Sequence, residues 1–199
     1  MRRCCSRRGR FWRGKTRSAV PWGRGTRARY AAGMSASKTL LIVYHSMTGG
    51  TLQMAQAAYD GAAADGSVAV RLLHARDAGP DDVLRADGYL FATPENLAAL
   101  SGQLKDFIDR SYYAVLDQIN GRPYASLICA GSDGHNAARQ LDRIATGWRL
   151  KPIAEPLIVC THAQTKEAIL APKQIGEEDL QRCRALGEAM AAGLALGVF

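Results

Sequence analysis

At 199 residues the chain has room for one domain with a substantial core, and no internal period suggests a solenoid. Its net charge of +8 points to nucleic acid only until it is divided: Met1 to Gly33 hold 11 of the 26 basic residues and no acid, leaving 15 basic against 18 acidic residues, a net of −3, for Met34 to Phe199. The body of the chain is therefore mildly acidic, which removes the argument for a nucleic-acid-binding domain.

The first 33 residues lack apolar periodicity and combine dense like charge, five glycines and one proline, a composition that opposes order. Residues 1–37 are read as a disordered basic extension. Met34-Ser35-Ala36-Ser37-Lys38 resembles an ordinary protein start just before the first strand, so initiation at Met34 is expected; a nonspecific basic arm and organellar targeting are the alternatives. The globular domain is expected over 38–199. Cys4 and Cys5 lie in the extension, while Cys129, Cys160 and Cys183 stand apart in apolar contexts, with neither a disulfide framework nor a metal spacing. With no apolar signal core at the N-terminus and an apolar stretch at Ala189 to Phe199 too short to span a bilayer, a cytoplasmic protein without membrane insertion is expected.

In chain order, Thr39 to Tyr44 reads as a buried strand and Leu52 to Ala64 as a helix. Val68 to Leu73 is a second strand, Asp77 to Asp87 a turn region rich in aspartate around Gly79-Pro80, and Gly88 to Thr93 a third strand. Leu104, Phe107, Ile108, Tyr112, Val115 and Leu116 stripe an amphipathic helix with Asp106 and Arg110 as an i,i+4 pair on its other face. Ala125 to Ala130 is a fourth strand, followed by a helix striped by Ala137, Leu141, Ile144, Ala145 and Trp148. Leu157 to Cys160 is a fifth strand, and Leu180, Cys183, Gly187, Met190 and Leu194 stripe the last helix. Near-continuous apolar strands alternating with helices indicate an α/β sandwich, a parallel sheet covered on both faces. Ligands of such sheets bind at the carboxyl ends of the strands.

Three loops at those ends carry unusual residues. Ser46-Met47-Thr48-Gly49-Gly50-Thr51 places three hydroxyls and two glycines between a strand and a helix N-terminus, a cradle for an anion. It lacks the lysine of a nucleotide-triphosphate loop and the glycine spacing of a dinucleotide loop, so it suits a single phosphomonoester; the bland alternative is a turn with a helix cap. The second loop runs Thr93-Pro94-Glu95-Asn96-Leu97-Ala98-Ala99-Leu100 before Ser101, a natural N-cap, and Gly102-Gln103-Leu104-Lys105. The third is Gly131-Ser132-Asp133-Gly134-His135-Asn136, where two glycines let backbone N–H groups converge. Asp133 reads as the cap of the following helix, with a charge beside a ligand as the alternative. His135 reads as a solvent-facing histidine, with proton delivery as the alternative. No Cys-x5-Arg follows the first strand, no Gly-x-Ser-x-Gly elbow exists, and His74 and His162 suggest no metal site.

The first loop resembles the phosphate loop of the flavodoxin-like family, Ser/Thr-x-Thr-Gly-x-Thr, at every fixed position. Thr93-Pro94 with Ser101-Gly102-Gln103-Leu104-Lys105 resembles the NAD(P)H-dependent FMN reductase and quinone reductase branch of that family. Where the branch usually has an aromatic and a glycine, this chain has Glu95 to Leu100, leaving Leu97 and Leu100 as apolar cover. The resemblance implies a five-stranded parallel sheet of order 2-1-3-4-5, FMN as cofactor and NADPH or NADH as hydride donor. It further implies electron transfer to a quinone, flavin or similar acceptor, with no catalytic side chain because the flavin carries the chemistry. Ser46, Met47, Thr48, Gly49, Gly50 and Thr51 are then expected to hold the phosphate. Thr93, Pro94, Glu95, Asn96, Leu97 and Ala98, with Gly131, Ser132, Asp133 and Gly134, are expected to hold the ring. An electron carrier without turnover and a flavin-free binding module are the alternatives, and homodimerisation is left open.

Overall fold

The structure, a computed structural model, describes residues 37–199; the basic extension to Ala36 and the expected start at Met34 lie outside the described residues. Strand β1 (Thr39–Tyr44) sits at the centre of the first half, flanked in parallel by β2 (Ala69–His74) and β3 (Gly88–Asn96). Beyond β3 lies β5 (Pro123–Ala130), and the far edge of β5 takes β6 (Lys151–Pro152) at its start and β7 (Leu157–Cys160) at its end. These two short pieces are one interrupted edge strand, so the sheet has the order 2-1-3-4-5 when its five main strands are counted. The break lies where Pro152 and Pro156 remove ladder donors.

Side-chain alternation sends Leu40 and Ile42 of β1 to one face and Leu41 and Val43 to the other. The first face is covered by α1 (Gly50–Ala63) and α6 (Glu177–Leu196), through Met54, Ala55, Ala58, Cys183 and Met190. These two helices touch backbone to backbone: a Cβ on Gly187 would lie 1.9 Å from the Ala58 carbonyl oxygen, and one on Gly61 2.1 Å from that of Arg184. The second face carries α2 (Pro80–Arg85), α3 (Gly102–Val115) and α4 (His135–Gly147). Leu104, Phe107 and Leu141 are buried there, and the Trp148 ring meets Phe91 and Phe107 edge-on, each at 6.2 Å between centroids.

Several boundaries differ from the sequence reading. Asp77 to Asp87 is more than a turn: Pro80 starts α2, and the Asp82 carboxylate accepts the Gly79 N–H at 2.9 Å. Helix α1 begins at Gly50, inside the hydroxyl-rich loop. Strand β3 continues past Thr93 to Asn96 and folds back antiparallel onto β4 (Ala99–Leu100). A short helix, α5 (Lys166–Leu170), follows β7. The expected Asp106–Arg110 pair forms at 3.0 Å. No helix among the described residues is long and apolar enough to cross a membrane.

Candidate functional site

A cavity of about 640 Å³ opens at the carboxyl ends of β1, β3 and β5, a size suited to a small-molecule site. Its floor at β1 is the expected hydroxyl-rich loop. His45 N–H continues the sheet by donating to the Ala92 carbonyl at 3.0 Å; the chain then turns, with the Gly49 N–H donating to Ser46 Oγ at 3.1 Å. Gly49 takes the left-handed φ of +88° that lets the helix start, and no side chain caps it. No side chain caps the first turn of α1, and Thr51 of that turn lines the cavity. Thr51 is 1% exposed and lines that cavity, yet its Oγ1 has no hydrogen-bond partner. Gly50 lets the loop approach β5, since a Cβ there would meet Cys129 Sγ at 2.7 Å. Burial pushes the Cys129 thiol up, partly offset by the nearby Thr51 hydroxyl and by Lys173, although the Thr51–Cys129 contact does not reach hydrogen-bond geometry.

The second wall is the β3–β4 hairpin. Leu97 and Ala98 make its two-residue turn with φ of 50° and 58°, and the Leu97 side chain is fully exposed at the rim. The hairpin is pinned from α4. Glu95 Oε2 accepts the Gly134 N–H at 2.9 Å, Gln140 Oε1 accepts the Leu100 N–H at 3.2 Å, and Asn136 Nδ2 donates to the Ala98 carbonyl. Thr93 is fully buried and does not line the cavity. It exchanges hydrogen bonds with Ser101, whose Oγ in turn accepts the Leu104 N–H and caps α3 as expected.

In the third loop Gly131 and Ser132 line the cavity, but Asp133 neither lines it nor caps α4. Gly134, with φ +84°, is the N-cap, which corrects the capping role expected of Asp133. His135 is exposed at the start of α4 and lies outside the cavity lining. Of the expected residues, then, the cavity gathers Ser46, Met47, Thr48 and Thr51 from the first loop, Pro94 to Ala98 from the second, and Gly131 and Ser132 from the third. Gly49, Gly50, Thr93 and Gly134 stand behind them as supports.

A fourth wall was not anticipated. Residues 161–175 leave β7, where Thr161 donates from both N–H and Oγ1 to the Ala130 carbonyl, and cross back to the first loop. There the Lys173 N–H donates to the Thr48 carbonyl at 2.8 Å. Gln53 of α1 clamps the segment, giving its amide N–H to the Lys173 carbonyl at 2.7 Å and accepting the Ile175 N–H at 3.2 Å. Ile169, Leu170 and Lys173 line the cavity. A local signal for α5 was present: Thr165 caps it by accepting the Ala168 N–H, and Pro172 stops it.

Beside the first loop, buried His45 has no partner for Nδ1, and its ring meets His74 edge-on at 5.6 Å between centroids. Burial first, and then the His74 charge, hold its pKa below the ordinary 6.5; burial and Arg76 lower that of His74 against a smaller opposing effect of Asp77. The native state therefore refuses protons that the unfolded chain accepts. Stability is expected to be fully present above pH 6.5 and to fall as the pH drops below it. Urea unfolding of wild type and H45N at a series of pH values checks this: the variant should show a flatter acid limb, and parallel limbs would contradict the assignment.

The family of NADPH-dependent FMN reductases matches residues 76–165. A flavodoxin of Aquifex aeolicus is 28% identical over 167 residues, covering 80% of this chain and 88% of the relative. The chain has a flavodoxin-like α/β fold. The segment matched to the FMN-reductase family is 90 of the 199 residues, and the match supports an oxidoreductase. An NAD(P)H dehydrogenase (quinone) of Acidithiobacillus ferrooxidans is 30% identical over 92 residues, 36% of this chain and 46% of that protein. The fold is shared with a solved archaeal flavodoxin, at a TM-score of 0.64 and 18% identity over 78% of this chain and 98% of the other. It is also shared with a WrbA-like flavodoxin from Agrobacterium tumefaciens, at 0.61 and 19% over 80% and 99%.

Proposed function

We propose that this flavodoxin-like protein is an FMN-dependent oxidoreductase that takes hydride from NADPH or NADH and passes electrons to a quinone, a free flavin or a similar small acceptor. The observation that carries the reading is the buried, unpartnered Thr51 hydroxyl in the first turn of α1, at the corner of a cavity large enough for a mononucleotide. An orphaned donor beside a helix N-terminus fits a phosphomonoester. Ser46, Thr48 and Thr51 would hold the phosphate with the N–H groups of Met47, Gly50 and Thr51, the helix dipole adding a favourable field. Residues Pro94 to Ala98, with Gly131 and Ser132, would flank the ring, and Met47, Leu97, Ile169 and Leu170 would exclude water around it. FMN, when bound, supplies the hydride and electron chemistry, so no side chain is required to act as acid or base.

A second reading, a single-electron carrier, is favoured by the flavodoxin likeness extending over 80% of the chain. Against it, residues Met34 to Phe199 carry a net charge of only −3, and the two ring loops contain no aromatic side chain. A cytoplasmic location accords with Cys129, Cys160 and Cys183 being free. A homodimer accords with the exposed Met47, Leu97, Ile169 and Leu170 at the cavity mouth.

The test is optical. The full chain is titrated with FMN, its visible spectrum is recorded, and NADPH or NADH is added without oxygen. Bound flavin that bleaches within seconds, and recovers on addition of a quinone, is the expected result. Bound flavin that stays oxidised selects the carrier, and absence of binding overturns both.

A further inference from the structure

The basic side chain that lines the cavity is Lys173. It lies in the phosphate-loop corner: its N–H bonds the Thr48 carbonyl at 2.8 Å, and a Cβ on Gly50 would meet Lys173 Cβ at 3.2 Å. The backbone on its C-terminal side is clamped by both ends of the Gln53 amide. Its ammonium is held by three neutral oxygens, the carbonyls of Ala168 at 2.7 Å, Ile169 at 2.9 Å and Ala171 at 2.6 Å. Among the described residues it pairs with no carboxylate, whereas Lys38, Arg71, Lys105, Arg110 and Arg149 each do. The cavity corner thus combines the uncapped first turn of α1, the unpartnered Thr51 hydroxyl and a positive charge that no carboxylate pairs with, while the one acidic side chain of the lining, Glu95, sits on the β3–β4 hairpin.

A fixed charge beside a ligand changes the binding of an ion and leaves that of a neutral molecule almost untouched. We infer that Lys173 sets the charge selectivity of the site: it makes the cavity prefer a flavin bearing a phosphomonoester over the same ring without the phosphate. The inference rests on the FMN reading above. Lys173 acts through its charge, because its three N–H donors are already engaged by the carbonyls of Ala168, Ile169 and Ala171 at the end of α5. A lysine that merely caps a helix end also bonds the last carbonyls, but that role stabilises the wall for any ligand alike. The two roles therefore separate on a ratio of affinities.

FMN and riboflavin are titrated by flavin fluorescence into the full chain as wild type, K173M and K173R, at low and high salt. Wild type is expected to favour FMN, K173M to lose about tenfold of that preference with riboflavin affinity little changed, and K173R to restore it. Added salt should weaken FMN binding to wild type more than to K173M. A loosened wall in K173M weakens both ligands and leaves their ratio intact. That outcome, or a ratio unchanged for any other reason, overturns the role of Lys173 while the FMN reading stands. Wild type that binds neither flavin overturns the FMN reading, and the Lys173 assignment with it.

Discussion

Replacing Gly187 with alanine should cost this protein about 3 kcal/mol or more, although alanine is the better helix former by about 1 kcal/mol. The added methyl would sit 1.9 Å from the Ala58 carbonyl oxygen, 2.7 Å from its carbonyl carbon and 3.0 Å from its Cα. All three are backbone atoms of α1 that cannot rotate aside. The helices must separate, and with them the apolar face where Met54, Ala55 and Ala58 meet Cys183 and Met190. A loss of that size is a large part of the 5–15 kcal/mol typical of a domain, so the urea midpoint should drop steeply. G102A is the control. Gly102 also lies in a helix, but nothing stands within 4 Å of its Cβ position, so its midpoint should remain near wild type. Equal midpoints for the two variants would show that the α1–α6 contact yields easily. The consequence reaches the site, because the N-terminus of α1 is the floor of the cavity.

The contrast between these glycines indicates what the sequence carries and what it hides. Gly187 stands in the apolar stripe of the last helix, so its burial was legible, but its contact with Ala58 joins residues 129 positions apart and no local pattern encodes it. The buried strands were legible because Leu40 to Val43, Tyr89 to Ala92 and Leu127 to Ala130 are apolar on both faces. The position of the hydroxyl-rich loop was legible because it joins the first strand to a helix, and loops at that end of a parallel sheet line the cavity. The hairpin was not. Pro94, Glu95 and Asn96 argue against a strand, and left-handed turns belong ordinarily to Asn and Gly, yet here Leu97 and Ala98 adopt them. Hydrogen bonds from the hairpin to Gly134, Asn136 and Gln140 override that local preference. Asp133 illustrates the same competition: its carboxylate is a good cap, but Gly134 can take the left-handed φ at the cap position, and the Asp133 side chain is left in solvent. The fourth wall depends on Gln53 meeting Lys173 and Ile175 from 120 and 122 residues away. Local periodicity cannot show such a contact.

Substituting Thr51 by valine should move stability and binding in opposite directions. Without ligand the Thr51 hydroxyl is a buried polar group with no partner, and such a group costs about 1–3 kcal/mol. Valine keeps the branched shape, matches threonine in helix propensity and removes the cost, so ligand-free T51V should be more stable than wild type by about 1 kcal/mol. In the presence of FMN the same hydroxyl would donate to a phosphate oxygen, and a hydrogen bond to a charged group contributes about 1.5–3 kcal/mol. Its loss should weaken FMN binding by about 10- to 100-fold. T51S, which retains the oxygen and loses a methyl, should bind FMN nearly as wild type and be slightly less stable. Urea midpoints of the ligand-free proteins and flavin fluorescence titrations give both quantities. A hydroxyl that served only the fold would yield the reverse pattern, a less stable T51V with wild-type affinity, and that result would remove the phosphate from this corner. The expected pattern would instead mean that the native state keeps an unsatisfied donor at this position because a ligand completes it.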